Sequence, residues 1–308
     1  MHAESPTRAH ASVFAVSPRW FLRLAALELF ALWLIVTTGA AVRLTASGLG
    51  CRHWPGCEAG HPLPAKDYHA FIEFGNRLVG GATILITLLT ALCALWAPLG
   101  RRGRQLAGAL FVGTLAQAPL GYLAVKTDLR WPVVMAHLLL SMLLIAGAVV
   151  LVFDAARAGG EPVVPRELRL LGLGVAAAAL GLLVSGSLAT AAGPHSGGGT
   201  EHVARFASLE PVVYVHAAIV AVFGCSFLFL LGYLFARRAR LRPLFLAALA
   251  VVAVVLVQVG LGELQYRLHL PWYLVLAHVG VAATAWAGVV ALVTAFWRPP
   301  PSLRRAAP

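Results

Sequence analysis

The sequence predicts an all-α integral membrane protein in which eight transmembrane helices form two pseudo-two-fold-related four-helix bundles. Three observations lead to this fold class: long apolar segments, an uneven distribution of positive charge, and an internal repeat that carries histidines. Hydrophobic residues occupy 60% of the 308 positions and charged residues only 12%, and the mean hydropathy is +0.82. These values lie well outside the averages of soluble domains, so the sequence indicates a membrane protein.

Eight apolar segments are long enough to span a bilayer, which takes roughly 20 residues. They cover approximately 22–43, 71–97, 105–125, 132–154, 168–191, 210–236, 243–264 and 272–297. The chain before Pro18 is polar, and the apolar run after it is too long for the core of a signal peptide. We therefore expect the first segment to be a membrane helix rather than a cleavable signal.

Positive charge is distributed unequally between the two sides of the predicted bundle. The chain has 24 Lys and Arg residues and a net charge of +12, and sixteen of these residues fall on the side that carries both termini. The other eight are Arg43, Arg52, Lys66, Arg77, Lys126, Arg130, Arg205 and Arg267. The positive-inside rule then predicts a multi-pass plasma-membrane protein with cytoplasmic termini. Because the clusters flank apolar helices, membrane lipid explains them and no nucleic-acid partner is expected.

An internal repeat relates the two halves of the chain. Gln117–Gly121 and Gln258–Gly262 both read Q-x-x-L-G, and each is followed by Ala-His with the histidine 16 residues after the glycine. Chance similarity among Ala-, Leu- and Gly-rich helices is the alternative, but matched spacing in two separate helix pairs favours a repeat.

Aligning Gly39 with Gly186 extends the repeat to all four helices of each half. The sequence thus predicts halves at 1–155 and 156–308, joined by a linker near 155–167. Since four helices return the chain to the side it left, the repeat should be parallel, with its axis along the membrane normal.

Four positions of the repeat form two matched pairs. Asn76 precedes His137 by 61 residues, and His216 precedes His278 by 62. An ionisable side chain one or two turns inside a membrane helix is costly unless it has a partner. One interpretation is a neutral histidine bonded to a neighbouring carbonyl; the other, favoured by the repetition at equal depth, is metal or haem ligation. Two facing imidazoles suit low-spin haem iron, whereas zinc usually has thiolate or carboxylate ligands.

Two cysteines lie in the first outer loop, which the charge distribution places in an extracytoplasmic, oxidising compartment. Cys51 and Cys57 have five residues between them, including Pro55 and Gly56, which allow the chain to reverse. A disulfide is therefore expected. It either staples the loop or exchanges electrons, and the sequence leaves both interpretations open.

Glu73 begins the second apolar segment, three residues before Asn76 and on the same helical face. It is either a group with a chemical role or a helix-start acid that the helix dipole stabilises and Arg77 pairs with.

The chain resembles the haem A synthase family over essentially its whole length. The motifs that carry the resemblance are Gly39-Ala-Ala-Val-Arg-Leu-Thr-Ala-Ser-Gly-Leu-Gly-Cys51, Trp54-Pro-Gly-Cys57, Glu73-Phe-Gly-Asn-Arg77, Thr190-Ala-Ala-Gly-Pro-His-Ser196, and His137, His216 and His278.

The resemblance implies a haem B cofactor, with its iron between His216 and His278. It also implies a substrate haem O in the N-terminal half, whose porphyrin methyl group is oxidised to the formyl group of haem A. Glu73 matches the family's functional glutamate. The family pattern there is Glu-x-x-His, and this chain has Glu-x-x-Asn, so His137 alone would leave an open iron position beside Glu73 and Asn76.

The expected function is therefore haem A synthesis for cytochrome c oxidase. Under this hypothesis haem B relays electrons, His137 positions the substrate iron, Glu73 handles protons or water, and Arg43 and Arg77 pair with haem propionates. A haem O synthase (protohaem farnesyltransferase) and an unidentified electron donor are the expected partners, and self-association is left open. Two alternatives are a non-catalytic membrane haem carrier or assembly chaperone, and a haem-binding electron-transfer protein.

Overall fold

The protein is an all-helical bundle. The computed structural model describes residues 15–51, 53, 56–57, 63–64, 66–157, 159–162, 164–198, 203–299 and 301. Its helices are α1 (Pro18–Leu44), α2 (Tyr68–Ala94), α3 (Arg101–Lys126), α4 (Trp131–Ala155), α5 (Arg166–Ala192), α6 (Leu209–Ala236), α7 (Arg238–Arg267) and α8 (Trp272–Trp297). All eight are long and apolar enough to cross a membrane. The predicted class, an all-α multi-pass membrane protein with eight spans, is confirmed.

Local signals set the helix boundaries, several of which differ by a few residues from those predicted. Asp67 accepts a hydrogen bond from the Ala70 N–H at 3.0 Å, so α2 begins three residues before the predicted 71–97 and also ends three residues earlier. Helices α1 and α3 each begin four residues before the predicted 22–43 and 105–125. In α7 a short basic segment is joined to the membrane helix across a kink at Leu241, shortly before Pro243, so the regular helix begins close to the predicted 243.

Each half of the chain closes into a ring of four helices. Helix α1 packs on α2 and α4, and α3 packs on α2 and α4; α5 to α8 repeat this pattern. The rings meet where α8 packs on α1 and α4, and where α4 packs on α5. Two indole N–H groups bond across this interface: Trp33 donates to the Gly280 carbonyl at 3.1 Å, and Trp286 donates to the Met142 carbonyl at 2.8 Å.

Buried positions in the two halves coincide at constant offsets in residue number. Phe21, Ala25, Glu28 and Leu32 of α1 are buried, and so are the residues 147 positions later, Leu168, Gly172, Val175 and Ala179. In α2 and α6 the offset is 140, and in the remaining two helix pairs it is 141. The repeat seen in the sequence therefore extends to the inward face of every helix. The division at 155 and the two-fold axis along the membrane normal stay predictions.

Candidate functional site

The four repeat-related polar residues occupy comparable depths. Asn76, His137, His216 and His278 are the ninth, seventh, eighth and seventh residues of α2, α4, α6 and α8. All four helices begin on the side of the bundle that carries Cys51 and Cys57, which we call the disulfide side; the opposite face is the terminal side. Within each ring the paired residues lie on diagonally opposite helices.

His216 and His278 form the pair in the C-terminal half. Their rings are close enough for a charge on one to act on the other. Ser185 donates its hydroxyl to the Leu182 carbonyl, so its oxygen is free to accept from Nδ1 of His216 at 2.8 Å. Nε2 of His216 then keeps its lone pair for a ligand. Such a hydrogen bond to the distal nitrogen is how metal-binding histidines are normally oriented.

His278 has unpaired buried atoms around it. The Gln258 amide nitrogen lies 3.0 Å from Nε2, while Nδ1 of His278 and Oε1 of Gln258 have no partner among the described residues. Buried polar atoms are seldom left unpaired without a reason. A ligand that binds the imidazole fits this arrangement, and either ring nitrogen can be a metal ligand.

Glycines pack directly against the histidine rings. A Cβ added to Gly186 would lie 3.3 Å from Cε1 of His216, and one added to Gly262 would lie 3.2 Å from Cε1 of His278. Both contacts are tighter than an ordinary side chain accepts. Because Gly186 and Gly262 have no side chain, the helix backbone at these positions packs directly against the imidazole rings of His216 and His278.

His137 repeats the environment of His278 in the N-terminal half. Gly121 faces its ring, where an added Cβ would lie 3.8 Å from Cε1. Gln117, the counterpart of Gln258, donates instead to Ser141 Oγ at 2.8 Å and to the His137 carbonyl at 3.3 Å. Nδ1 of His137 and Oε1 of Gln117 have no partner in the described part of the chain. The imidazole is therefore poised to accept a ligand.

Asn76 bonds the hydroxyl of α1 as His216 bonds that of α5, but in the opposite direction. Thr38, the counterpart of Ser185, donates to Oδ1 of Asn76 at 2.8 Å. Gly39, the counterpart of Gly186, would meet nothing within 4 Å if it carried a Cβ. The amide oxygen of Asn76 thus occupies the position of an imidazole nitrogen as an acceptor instead of a donor, and the space beside Gly39, where an imidazole ring would lie, is open.

Glu73 and Arg77 hold the disulfide loop against α2. Cys51 and Cys57 form a disulfide, as predicted. The Cys51 N–H donates to Oε2 of Glu73 at 2.8 Å, and Arg77 donates to Oε1 at 2.6 Å, so the predicted pairing of Glu73 with Arg77 is confirmed. Arg77 also donates to the carbonyls of Cys51, His53 and Gly56. The loop residues Arg52, Trp54 and Pro55 lie outside the described residues.

The loop approaches α2 very closely. A Cβ on Gly50 would lie 2.6 Å from the His69 backbone, so only glycine fits there. His69 in turn bonds Ser47 Oγ through Nδ1 at 3.0 Å. These contacts join the disulfide loop to the first turns of α2, one helical turn from Asn76.

Arg43 and Arg205 form a cationic pair at the same side. Arg43 donates to the carbonyls of Thr190 and His195, each at 2.9 Å, and Arg205 donates to those of Thr190 and Gly193. The two guanidinium groups act electrostatically on each other. Burial lowers the pKa of Arg205, which lies in the loop before α6. Two neighbouring cations held by carbonyls suit a carboxylate ligand.

Sequence reasoning missed several residues that position this site. Thr38 and Ser185 stand immediately before the aligned glycines, and Arg205 is separated from Arg43 by most of the chain. The two hydroxyls were discoverable, because the repeat puts a hydroxyl residue at equivalent positions. The contact between Arg43 and the loop after α5 has no signal in the sequence.

The fold and the site define a class: a multi-pass helical membrane protein whose two related halves each carry polar residues at matched positions inside the bundle. The family model described as cytochrome oxidase assembly protein matches residues 22–290. The chain belongs to this family.

Several curated relatives of this chain are named haem A synthase. A haem A synthase from Shewanella oneidensis is 25% identical over 333 aligned residues, which cover 93% of this chain and 98% of the relative. A haem A synthase from Bacillus pumilus is 33% identical over 153 residues, 47% of this chain and 49% of the relative. A third, from Geobacillus kaustophilus, is 30% identical over 112 residues, 34% of this chain and 33% of the relative. The matched region thus spans about half of the Bacillus relative and nearly all of the Shewanella one.

We predict that Arg77→Met speeds reduction of the Cys51–Cys57 disulfide by an impermeant reductant. The substitution leaves loop carbonyls and Glu73 without their donor, a loss of about 1–3 kcal/mol that should raise loop opening on the order of ten-fold. Thiol labelling over time measures it. Arg267→Met is the matched control, because Arg267 makes the same i,i+4 pair with Glu263 on an exposed helix end. Equal reduction rates in the two variants would refute the anchoring role.

Proposed function

We propose that the protein is a haem A synthase that oxidises the porphyrin methyl group of haem O to the formyl group of haem A, for cytochrome c oxidase. One observation carries the proposal: two matched sites in one chain, of which the C-terminal one has two histidines and the N-terminal one has His137 opposite Asn76. Two histidines suit a low-spin haem that only transfers electrons, whereas a single histidine leaves the iron accessible to a small ligand. Membership of the cytochrome oxidase assembly family and the names of the relatives support it.

In the C-terminal half, His216 and His278 would hold the iron of haem B. Ser185 and Gln258 orient the two rings, and Gly186 and Gly262 support them. When bound, haem B supplies one-electron transfer to the substrate site. The apolar helix faces around the pair exclude water from it.

In the N-terminal half, His137 would hold the iron of the substrate haem O. Asn76 would leave the side opposite His137 open and offer an amide to water there. Glu73 lies one turn from Asn76, and we assign it proton or water handling through the disulfide loop that it contacts. The hydrogen bond from the Cys51 N–H links this loop to the carboxylate.

Arg43 and Arg205 are assigned to haem propionates. Arg77, the other sequence candidate for this role, is engaged by three loop carbonyls and Glu73, so we assign it to the loop instead. The cationic pair stands on the disulfide side, where propionates at the membrane surface would meet it.

Location and partners follow from the charge distribution and the chemistry. We place the termini in the cytoplasm and the disulfide loop outside the plasma membrane. The substrate requires a haem O synthase as supplier, and the reaction requires an external electron acceptor or donor. Self-association remains open.

Product analysis tests the function. The protein is co-expressed with a haem O-producing farnesyltransferase, and the haems are extracted and separated. Haem A is expected only when this protein is present. Haem O alone, with haem retained on the purified protein, would instead favour a haem carrier or an electron-transfer protein.

The cofactor assignment predicts a low-spin b-type spectrum for the purified protein. His216→Ala and His278→Ala should each lose haem or convert it to high spin, since one axial ligand is gone. His137→Ala is the matched control and should keep the low-spin signal. Unchanged spectra in both the His216 and His278 variants would refute the assignment of these residues as haem ligands.

Asn76→His should convert substrate haem from a high-spin, carbon monoxide-binding form to a low-spin form that resists ligands. Space beside Gly39 admits the ring, and Thr38 can hold its Nδ1 as Ser185 holds that of His216. The reciprocal change, His216→Asn, should make the C-terminal haem high-spin and open to carbon monoxide. A low-spin N-terminal haem in the unmodified protein would contradict the model of an open position, and His69 would be the first alternative ligand to test.

Glu73→Gln should lower haem A formation on the order of a hundred-fold while both haems stay bound, because the amide keeps the shape but cannot exchange protons. Arg77→Met serves as control for loosening of the loop, since it retains the carboxylate. Haem A yield and disulfide reduction are measured on both variants. Normal yield from Glu73→Gln would leave Glu73 with the anchoring role alone.

A further inference from the structure

A line of buried polar side chains runs between α1 and α2, away from the disulfide side. Thr83, Thr87 and Thr90 of α2 are 1%, 0% and 0% exposed, and Glu28 of α1 is 0% exposed. Together with Asn76 the threonines are spaced by seven, four and three residues, so they share one face of α2. That face meets α1, because α1 packs on α2, Thr38 of α1 bonds Asn76, and Glu28 of α1 is fully buried, as Thr90 is. We call these four residues, Glu28, Thr83, Thr87 and Thr90, the polar line.

The polar line connects the substrate site with the terminal side. Thr90 is four residues before the end of α2 at Ala94, about one helical turn from the terminal side. From Thr90 to Asn76 the helix rises about 21 Å. Gly80 lies on the same face between Thr83 and Asn76, and a Cβ there would meet only Ile35, at 3.8 Å. Water at this glycine can bridge the largest gap in the line.

The hydrogen-bond roles along the line are compatible with proton transfer. Thr83, Thr87 and Thr90 each donate their hydroxyl to a carbonyl of their own helix. Their oxygens therefore keep lone pairs for a donor. Neither carboxylate oxygen of Glu28 has a hydrogen-bond partner of standard geometry among the described residues. A buried carboxylate without a counter-ion is very costly, so the neutral acid, with a proton to donate to Thr90, is the form that this position admits.

The C-terminal half is an internal control. At the repeat offsets, Glu28 corresponds to Val175, and Thr83, Thr87 and Thr90 correspond to Phe223, Phe227 and Leu230. All of these are buried as well, at 0–4% exposure. Gly80 corresponds to Val220. The same fold therefore packs with a wholly apolar line, and the polar one is confined to the half with Asn76.

We propose that the polar line carries protons between the terminal side of the membrane and the N-terminal site. A proton from water on the terminal side protonates Glu28, passes along the threonine hydroxyls and bridging water, and reaches the level of Asn76 and Thr38; the reverse sequence releases it. The destination rests on the proposed function, since oxidising a methyl group to a formyl group moves protons as well as electrons. In the proposed function the C-terminal half only transfers electrons through haem B and needs no proton path. The corresponding line of that half is apolar, which agrees with this role.

Infrared spectroscopy tests the acid itself without any turnover. The difference spectrum between the protein and Glu28→Gln should contain the carbonyl band of a protonated carboxyl group, which shifts in heavy water. Thr90→Val should move that band and slow its hydrogen–deuterium exchange several-fold. Glu263→Gln, at an exposed helix end, is the control and should leave the band intact. Absence of the band, or exchange that Thr90→Val leaves unchanged, would overturn the proposal.

Haem A formation tests the destination. Glu28→Gln and Thr87→Val should slow it on the order of ten-fold with haem content unchanged, and Glu28→Asp should recover part of the rate. Thr114→Val is the matched control, because Thr114 is equally buried and bonds its own helix in the same way but lies on α3. Rates equal to that control would overturn the proposal. If the unsubstituted protein forms no haem A, the proposed function fails, and the infrared exchange alone then decides whether the line conducts protons.

Discussion

Every polar side chain inside this bundle must find a partner within the protein, and this requirement organises both halves. Lipid offers no hydrogen bonds, so a ligand residue on one helix is fixed by a polar group on its neighbour. Ser185 does this for His216, Thr38 for Asn76 and Gln258 for His278. Nδ1 of His137 and Nδ1 of His278 are among the buried atoms without a partner in the described part of the chain, and in the proposed function a bound haem would account for these two rings.

The two halves share one helical frame but differ in a few inward residues. Buried positions recur at fixed offsets, while the identities of some of these residues differ. Asparagine replaces histidine at position 76, and a row of Thr and Glu replaces a row of Phe, Leu and Val. The glycine and the hydroxyl residue before it are kept in Thr38-Gly39 and Ser185-Gly186. In the proposed function, these few substitutions distinguish the substrate site from the cofactor site.

Sequence periodicity and composition were sufficient for the eight helices, the depth of the histidines and the Cys51–Cys57 pair. These features depend on local hydropathy, on helical spacing or on a short loop, all of which are visible along the chain. The contacts that combine helices were not predicted. Nothing in the chain indicates that Arg77 binds three carbonyls of the disulfide loop, or that Arg43 reaches the loop after α5, because these contacts join residues far apart in sequence. Arginines next to a membrane suggest a loop, yet their long stems are good helix formers, and Arg238 and Arg240 form a short helical segment before the kink at Leu241.

The position of Glu73 in the sequence is compatible with more than one role. Its charge is stabilised by Arg77 and by the Cys51 N–H, which makes it a structural anchor on any reading. The same two bonds place the carboxylate between the disulfide and Asn76, where a proton-exchanging group is useful. Glu28 is the opposite case: no cation and no backbone N–H compensates it in the described residues, so the only stable form it has is the neutral acid. Glu73 is paired with Arg77 at the disulfide side, Glu28 lacks a cation toward the terminal side, and Asn76 lies between them. In the proposed function, a site that exchanges protons needs a group that accepts them and a route that replaces them, and these two environments on one pair of packed helices are the candidates for those roles.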